Sequence, residues 1–182
     1  MTFPLLQIII EMSRRLKEGL ELSARDRREP MSTKVGVISD THGLLRPEVI
    51  DVLRTCDYIV HAGDFDNASI LEELEELAPV AAVRGNNDWS SWASRLPRQL
   101  TFTIDGVKFA MAHKREELPW NMQGVKVAVF GHTHQYFEDR ALGCLWLNPG
   151  SCGWPRYRRE LSMAALTIDG GQIRAQRIEL KP

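Results

Sequence analysis

The sequence predicts an α/β fold in which two mixed β-sheets are flanked by helices. In the first half of the chain, short apolar runs alternate with helical stretches, which is the pattern of parallel strands joined by helices. In the second half, apolar runs follow one another with turn residues between them, as in antiparallel strands. The chain has 182 residues, enough for one domain with a sizeable core and too few for two ordinary domains.

Strands and helices alternate in the first half. Proline fits the first turn of the first predicted helix, and the second helix has an apolar stripe opposite four glutamates. The predicted elements are strand Val35–Ile38, helix Pro47–Leu53, strand Tyr58–Val60, a helix with the stripe Ile70, Leu71, Leu74 and Leu77, and strand Val80–Val83. Strand, helix, strand in this order predicts a parallel sheet.

The second half is predicted to be mainly strand. Asp105-Gly106 between two apolar runs is a strong hairpin signal, and Gly143 and Asp169-Gly170-Gly171 mark further turns. The predicted strands are Leu100–Ile104, Val107–Ala112, Val125–Phe130, Tyr136–Arg140, Cys144–Leu147, Met163–Ile168 and Ile173–Ile178.

Residues 1–30 are predicted to be separate from the domain formed by residues 31–182. Apolar residues recur at helical spacing up to Leu20, which predicts an amphipathic helix, and Ser23–Pro30 is a charged linker. This extension is either a weakly attached segment, a helix that docks on the domain, or an oligomer contact.

The composition excludes several classes of protein. A net charge of -1 and a pI near 6.5 argue against a broad nucleic-acid-binding surface. Three cysteines without C-x-x-C spacing indicate neither a disulfide framework nor a structural zinc site. No apolar run reaches the length of a membrane span, and the first residues lack the pattern of a signal peptide. We therefore expect a soluble, cytoplasmic protein.

Side chains that can bind metal ions occur in five short motifs, four of which follow a predicted strand. Loops at the carboxyl ends of neighbouring strands converge, so these side chains can meet. In D-T-H and H-T-H the two side chains are two residues apart, and on an extended segment both point toward one ion. The set comprises Asp40 and His42 in S-D-T-H-G, Asp64 in H-A-G-D, Asn86 in R-G-N-N-D, His113 in F-A-M-A-H, and His132 and His134 in F-G-H-T-H.

This set predicts a site for two divalent metal ions. Carboxylate, imidazole and amide ligands suit manganese, iron, zinc or cobalt better than calcium. Manganese is the leading prediction, and nickel and magnesium are further candidates. Two divalent ions carry a formal charge of about +4, which Asp40, Asp64 and one bridging hydroxide lower to about +1. Such a site attracts a phosphate ester, and the metal-bound hydroxide is the nucleophile, so no protein nucleophile is required.

At these residues the sequence resembles the calcineurin-like metallophosphoesterases, most closely their small bacterial and archaeal phosphodiesterase branch. The resemblance extends from Lys34 to the C-terminus and includes D-T-H-G, G-N-N-D, G-H-T-H and the N-P-G-S of residues 148–151. It implies a four-layer αββα sandwich and phosphodiester hydrolysis, with Asp64 bridging two ions. It further implies that one ion is bound by Asp40, His42, Asp64 and His134 and the other by Asp64, Asn86, His113 and His132.

The sequence departs from the wider family at two places. Many relatives carry a histidine after the motif asparagine, where it is thought to protonate the leaving group, and this chain has Asn87. We therefore expect a preference for activated leaving groups, or proton delivery by water. Close relatives often have H-G-H in the fourth motif, where this chain has His113-Lys114-Arg115. The residues predicted to contact the substrate are Asn87, Arg115 and Ser151.

Three other residues near the motifs are not predicted to be metal ligands. His61 is expected to be a hydrogen-bonded structural histidine, since it lies outside the ordered set. Trp89 and Trp92 follow the third motif and either pack on a neighbouring loop or subunit, or stack on an aromatic group of the substrate.

Two alternative functions remain open. One is a catalytically silent interaction scaffold, as in the retromer subunit of similar fold, although a scaffold would not need to retain the ligands that this chain has. The other is a phosphomonoesterase or nucleotidase, which the metal ligands alone do not exclude. In either enzymatic interpretation the partner is a small phosphodiester or phosphate ester, with a homo-oligomer left open.

Overall fold

The structure, a computed structural model, describes residues 32–155 and 160–181. Ten strands in these ranges form two five-stranded sheets. The helix and linker predicted for residues 1–30 lie outside the described residues. Within the described part, no helix combines the length and the hydropathy needed to cross a membrane.

Every strand and helix predicted for the described residues is present, with small differences at the ends. The bounds are β1 Thr33–Ile38, α1 Pro47–Leu53, β2 Tyr58–His61, α2 Ala68–Leu77, β3 Val80–Ala82, β4 Gln99–Ile104, β5 Val107–Ala112, β6 Val127–Val129, β7 Tyr136–Ala141, β8 Cys144–Pro149, β9 Leu161–Asp169 and β10 Gln172–Leu180. Short 3-10 helices at Ser91–Arg95 and Arg115–Glu117, which we did not predict, lie in the loops after β3 and β5.

The first sheet has the strand order β10-β9-β1-β2-β3. Strands β1, β2 and β3 are parallel, as the alternation with α1 and α2 predicts, and β9 and β10 extend the sheet in antiparallel pairs. Asn67 caps the N-terminus of helix α2, and its side chain accepts a hydrogen bond from the backbone N–H of Ser69 at 3.1 Å. This sheet is therefore mixed.

The second sheet has the order β4-β5-β6-β8-β7. Strands β4 and β5 form the predicted hairpin, and its central residues Asp105 and Gly106 both have positive φ, 47° and 74°. A two-residue hairpin turn of this kind matches the twist of the flanking strands. Strands β5, β6 and β8 are parallel, whereas β7 is antiparallel to β8.

The two sheets face each other across the main core. Alternate residues of β1, such as Val35 and Val37, pack with Phe109, Met111 and Leu147 of the second sheet, and all of them are fully buried. The opposite face of the first sheet is covered by the two α-helices through a second apolar cluster. Burial of apolar side chains on both faces of a sheet is what stabilises a layered α/β fold.

The outer face of the second sheet carries the fourth layer. Leu118 and Met122, from the loop after β5, pack there against Ala110 and Ala128. Among the described residues this layer contains a 3-10 helix and no α-helix. The predicted sandwich of two mixed sheets is confirmed, and on this side its outer layer is a loop.

Candidate metal centre

The loops that carry the seven predicted ligands meet at one end of the sandwich, beyond the carboxyl ends of five strands. Asp40 follows β1, Asp64 follows β2 and Asn86 follows β3, while His113 and His132 follow β5 and β6. Backbone hydrogen bonds join these loops: Asp40 N–H donates to the carbonyl of Gly63 at 3.0 Å, and His42 N–H to that of Asp64 at 3.1 Å. Gly131 N–H donates to the carbonyl of His113 at 2.9 Å. The fold itself therefore brings distant motifs together.

Four of the predicted ligands converge on one point. His42 Nε2 lies 3.3 Å from His134 Nε2, and His134 Nε2 lies 3.2 Å from Asp40 Oδ1. The other carboxylate, Asp64 Oδ2, is 3.8 Å from His42 Nε2. Two nitrogens bound to one tetrahedral ion at about 2.1 Å are roughly 3.4 Å apart, so these spacings are those of shared ligands. Asp40, His42 and His134 form a group that could hold a metal ion.

A second group shares the Asp64 carboxylate. His113 Nε2 lies 3.3 Å from Asp64 Oδ2, the same oxygen that faces His42. Asp40, Asp64 and His113 together form the second candidate metal group. His113 therefore sits within the ligand set, although Lys114 and Arg115 after it differ from the family pattern. Asp64 Oδ2 therefore faces a histidine on each side.

Asn86 and His132 lie at the rim of these two groups. The His132 ring makes an edge contact with the His113 ring, with their centroids 5.2 Å apart. Its backbone N–H donates to Asp40 Oδ2 at 3.1 Å, which ties the G-H-T-H loop to the D-T-H loop. The side chain of Asn86 has a buried oxygen, Oδ1. The His132 ring is therefore next to the second group, and Asn86 stands between Gly85 and Asn87, whose backbones both contact Asp64.

Unpaired polar atoms show that the site suits metal ions. Among the described residues, four buried side-chain polar atoms have no hydrogen-bond partner, and three of them are Asp40 Oδ1, Asn86 Oδ1 and His113 Nε2. An unpaired buried donor or acceptor costs about 1–3 kcal/mol, so native structures rarely keep one. The polar atoms that lie close to two of them are other predicted ligands, His134 Nε2 at 3.2 Å from Asp40 Oδ1 and Asp64 Oδ2 at 3.3 Å from His113 Nε2, and a cation between such atoms would satisfy both partners.

The backbone of the ligand loops is strained. The residues with left-handed φ include Asp40 at 56°, His42 at 48°, Asp64 at 61°, His132 at 69° and His134 at 57°. Residues other than glycine adopt this region at a cost of roughly 1–2 kcal/mol each. Our prediction that D-T-H and H-T-H lie on extended segments is therefore wrong. The paired side chains converge because alternate residues turn into the left-handed region.

Two glycines allow the loops to pack closely. A Cβ atom on Gly85 would lie 2.0 Å from Asp64 Oδ1 and 2.2 Å from the Asp64 backbone nitrogen. A Cβ atom on Gly131 would lie 2.0 Å from Ser39 Oγ and 2.8 Å from Asp40 Oδ2. Any other residue at these positions would push a carboxylate out of place. This explains why glycine precedes the ligand in G-N-N-D and in G-H-T-H.

Sequence reasoning missed two aspartates that support the ligands. Asp66 Oδ2 lies 3.0 Å from His42 Nδ1, so this carboxylate fixes the ring with Nε2 toward the site. The Asp88 carboxylate accepts four backbone N–H groups, those of Gly85, Phe65, Asp66 and Asp64, at 2.7, 2.8, 2.9 and 3.1 Å. Asp88 thereby fastens the loop after β2 to the loop after β3. The D-F-D spacing at Asp64 and the last letter of G-N-N-D were the available signals.

The electrostatics keep the shared carboxylate ionised. Burial alone would raise the pKa of Asp64, but the His113 imidazole, the Asn87 backbone N–H and nearby His42 outweigh it and lower the pKa to about 2. Burial lowers the pKa of His113, yet the Asp64 and Asp40 carboxylates outweigh this and raise it above its usual value. His113 Nδ1 lies 2.7 Å from the Ala62 carbonyl, so in the neutral ring, the form that binds a metal ion, Nδ1 carries the proton and Nε2 is the ligand atom.

His61 is a structural histidine, as expected. It is fully buried, and burial lowers its pKa from 6.5 to about 3. Its Nδ1 accepts a hydrogen bond from Gly63 N–H at 3.1 Å, so Nε2 carries the proton toward Thr41 Oγ1, also at 3.1 Å. The ring stacks on Phe65 at 3.6 Å between centroids. Neutral His61 thus connects the D-T-H loop to the G-D loop.

The residues predicted to contact the substrate have other contacts in the structure. The Asn87 backbone N–H and side-chain Nδ2 donate to Asp64 Oδ1 and Oδ2 at 2.8 and 2.9 Å. Ser151 is buried, and its hydroxyl donates to the Asp40 carbonyl at 2.9 Å. The Arg115 guanidinium lies 5.2–5.6 Å from the ring centroids of three aromatic residues on the outer face of the second sheet. Their roles in substrate binding remain predictions.

Comparison with known proteins agrees with this geometry. The profile of the calcineurin-like phosphoesterase superfamily domain matches residues 33–171. A probable metallophosphoesterase of Methanothermobacter thermautotrophicus is 37% identical over 156 residues, covering 78% of this chain and 90% of that protein. A phosphodiesterase of Methanocaldococcus jannaschii is 28% identical over 141 residues, covering 65% of this chain and 84% of that protein.

Solved structures share the fold. A structure described as a novel archaeal phosphodiesterase has a TM-score of 0.67 at 23% identity, covering 81% of this chain and 100% of that chain. Vps29 of Entamoeba histolytica, in complex with Zn²⁺, has a TM-score of 0.61 at 22% identity, covering 81% of this chain and 99% of that chain. The family and the candidate ligand groups imply divalent metal ions. Since the matched region contains every predicted ligand, this chain belongs to the calcineurin-like phosphoesterase superfamily.

Proposed function

We propose that this protein is a phosphodiesterase that uses two divalent metal ions, with manganese as the preferred metal. The observation that carries the proposal is the set of unpaired buried atoms, Asp40 Oδ1, Asn86 Oδ1 and His113 Nε2, inside the predicted ligand set. The name of the Methanocaldococcus jannaschii relative, a phosphodiesterase, supports the same reaction class.

The ligands divide into two groups that share one carboxylate. Asp40, His42 and His134 would hold one ion, since each offers a polar atom within 4.8 Å of the other two. Asp64 would share this ion, because its Oδ2 lies 3.8 Å from His42 Nε2. Asp64 and His113 would hold the other ion, with Asn86 and His132 completing it from the rim. Nitrogen and oxygen ligands of this mixture suit manganese, iron or zinc. Manganese is the metal we test first.

When bound, two such ions lower the pKa of a water molecule to make it a nucleophile and stabilise charge on the phosphoryl oxygens. The protein fixes where this happens. Asp66 orients His42, the Ala62 carbonyl orients His113, and Asp88 holds the backbone on which Asp64 sits. Two divalent ions and two carboxylates leave a formal charge of about +2, which attracts an anionic diester.

The structure supports a preference for activated leaving groups. Asn87 takes the position after the motif asparagine, and its amide donates to Asp64 Oδ2 at 2.9 Å. An amide does not supply a proton to a departing alkoxide, because it is not an acid in the working pH range. We therefore expect the rate to fall steeply as the pKa of the leaving group rises. Leaving groups of low pKa depart without protonation.

The reducing cytoplasm is our proposed location, since Cys56, Cys144 and Cys152 are all free thiols. Burial raises the pKa of each of these thiols, most strongly that of Cys152, to about 12. None of them is a candidate nucleophile at neutral pH.

The direct test is hydrolysis of bis(4-nitrophenyl) phosphate by chelator-treated protein before and after addition of Mn(II). We expect turnover only with the metal, and slower turnover of 4-nitrophenyl phosphate, the monoester with the same leaving group. A faster monoester reaction would make the protein a phosphomonoesterase. Absence of metal-stimulated turnover, with metal bound, would leave the silent scaffold as the better description.

A further inference from the structure

Trp89 is 85% exposed and lies in the loop after β3, the loop that carries Asn86. It directly continues the G-N-N-D motif, three positions after Asn86. A large aromatic side chain in water gives up the free energy that burial of its rings would provide. Exposure alone does not distinguish Trp89 from Trp120, which is 95% exposed, but Trp89 belongs to the loop that carries Asn86.

The position of Trp89 relative to the ligands is fixed through its neighbour. Asp88 accepts hydrogen bonds from the backbone N–H groups of Asp64, Phe65, Asp66 and Gly85. The backbone of Trp89 is therefore held beside the loop that carries Asp64. The starting point of the Trp89 side chain is thereby fixed close to the candidate metal centre, while the indole itself extends into solvent.

Trp89 and Trp92 have different surroundings. Trp92 is partly buried and packs edge-on against Phe65, with ring centroids 5.9 Å apart. Trp89 makes no ring contact with any described residue. Packing therefore accounts for Trp92, whereas the indole of Trp89 is free to stack on a ligand.

The segment around Trp89 is locally basic. Residues 84–98 contain three arginines, Arg84, Arg95 and Arg98, and one acidic residue, Asp88, whose carboxylate is already engaged by backbone N–H groups. Within the described part of the chain, none of the three arginines forms an ion pair. An exposed aromatic ring together with positive charge is the combination that binds a nucleobase and its phosphates.

We propose that Trp89 is the stacking platform for a nucleobase, and that the substrates of this enzyme are small diesters of nucleotides. In this arrangement the base stacks on Trp89 while the phosphodiester lies at the candidate metal centre, to which Asn86 of the same loop belongs. This inference rests on the proposed phosphodiesterase function and adds the substrate class to it.

The test compares two diesters that release the same leaving group, thymidine 5′-(4-nitrophenyl phosphate) and methyl 4-nitrophenyl phosphate. The full-length protein with Mn(II) should favour the thymidine ester. Trp89→Ala should lower kcat/KM for the thymidine ester about tenfold, mainly through KM, and change the methyl ester less than about twofold. Because Trp89 is exposed, this variant should fold normally.

Trp120→Ala is the matched control. Trp120 is 95% exposed, on the loop that covers the outer face of the second sheet. Its removal should leave both rates unchanged. Equal losses on the two esters in Trp89→Ala, or no loss on either, would overturn the proposal and leave the phosphodiesterase function intact.

A binding measurement separates this proposal from the proposed function. Adenosine 5′-monophosphate should quench the tryptophan fluorescence of the wild-type protein and of Trp120→Phe, but not that of Trp89→Phe. Quenching that persists in Trp89→Phe would refute stacking on Trp89. If the wild-type protein hydrolyses neither ester, the phosphodiesterase function fails, and the quenching alone then decides whether a nucleobase binds to Trp89.

Discussion

The ligand loops and the hairpin turns use the same left-handed backbone conformation, but the hairpin turns are open to solvent and the ligand loops are crowded. At the hairpins, Gly106, Gly143 and Gly170 have φ between 54° and 76°, and a Cβ atom at any of them would meet no atom within 4 Å. In the ligand loops, aspartate and histidine adopt this conformation in crowded, buried surroundings. The hairpins also place side chains in this conformation, Asp105 and Leu142, but both are exposed and each is followed by a glycine, whereas four of the five left-handed residues that the ligand loops contribute to the site are buried.

This difference shows where the protein gives up stability for function. Each left-handed aspartate or histidine costs roughly 1–2 kcal/mol, and each unpaired buried polar atom about 1–3 kcal/mol. The surrounding hydrogen bonds of Asp88 and His61 hold the loops against this strain. Changes in the ligand loops should therefore affect activity strongly, and equivalent changes in the hairpins should affect stability alone.

The largest effect is expected for Asp64→Ala. It removes the carboxylate that faces both His42 and His113, so neither ion keeps its full set of ligands. We expect kcat/KM for the aryl diester to fall by about a thousandfold or more. Asp51→Ala, on the surface of α1, is the control and should be fully active, since the Asp51 side chain is 76% exposed. Near-normal turnover by Asp64→Ala would contradict the shared-carboxylate arrangement.

A pair of glycine variants compares the two regions directly. Gly85→Ala places a methyl group 2.0 Å from Asp64 Oδ1, and a ligand displacement of this kind should cost about a hundredfold in kcat/KM. In Gly106→Ala the added methyl group meets no atom within 4 Å, but φ at this position is 74°, which strains any residue other than glycine. The variant should therefore lose about 1 kcal/mol in the free energy of unfolding and keep its activity. Activity assays and urea unfolding of both variants test this. Equal activities would remove the distinction between the regions.

Asp88→Asn tests how firmly the ligand loops are held. The carboxylate accepts four backbone N–H groups, and the amide nitrogen of asparagine accepts none. We expect a loss of about 3 kcal/mol in the free energy of unfolding and about a tenfold fall in kcat/KM. Both are measurable on the metal-loaded protein. A loss of stability without loss of activity would show that the loops keep their geometry without Asp88.

A change of stability with pH, without a change in the ligands themselves, is expected from His61. Its pKa is lowered from 6.5 to about 3 in the folded protein, so below pH 6.5 the unfolded chain binds a proton that the folded protein does not. The stability contributed by neutral His61 is therefore lost as pH falls from 6.5 toward 3, by roughly 2 kcal/mol at pH 5. Urea unfolding at pH 7 and pH 5, with chelator present, should show this loss in the wild type and not in His61→Asn. Equal losses in both proteins would assign the effect elsewhere.

Much of the fold could be predicted because each strand has its own signal. Apolar runs bounded by turn residues located all ten strands of residues 32–155 and 160–181, and Asp105-Gly106 located the first hairpin. The outer layer of the second sheet was not predictable in the same way. Leu118 and Met122 cover that face from an irregular loop, which has no periodicity to recognise.

The candidate site was predictable in its members but not in its backbone. Residue type and motif order identified Asp40, His42, Asp64, His113 and His134, which the structure brings together. Their left-handed conformation was not visible, since D-x-H suits an extended strand equally well. The supporting aspartates were overlooked because aspartate is also the ordinary residue of turns and helix caps.

The most direct test of the central claim is the metal stoichiometry of the protein. Mn(II) should be titrated by calorimetry into chelator-treated wild type and Asp64→Ala, with elemental analysis of the loaded proteins. The structure leads us to expect two ions bound to each wild-type chain and fewer than two to Asp64→Ala. A single ion in the wild type, or two ions in the variant with unchanged affinity, would contradict a two-metal site shared through Asp64.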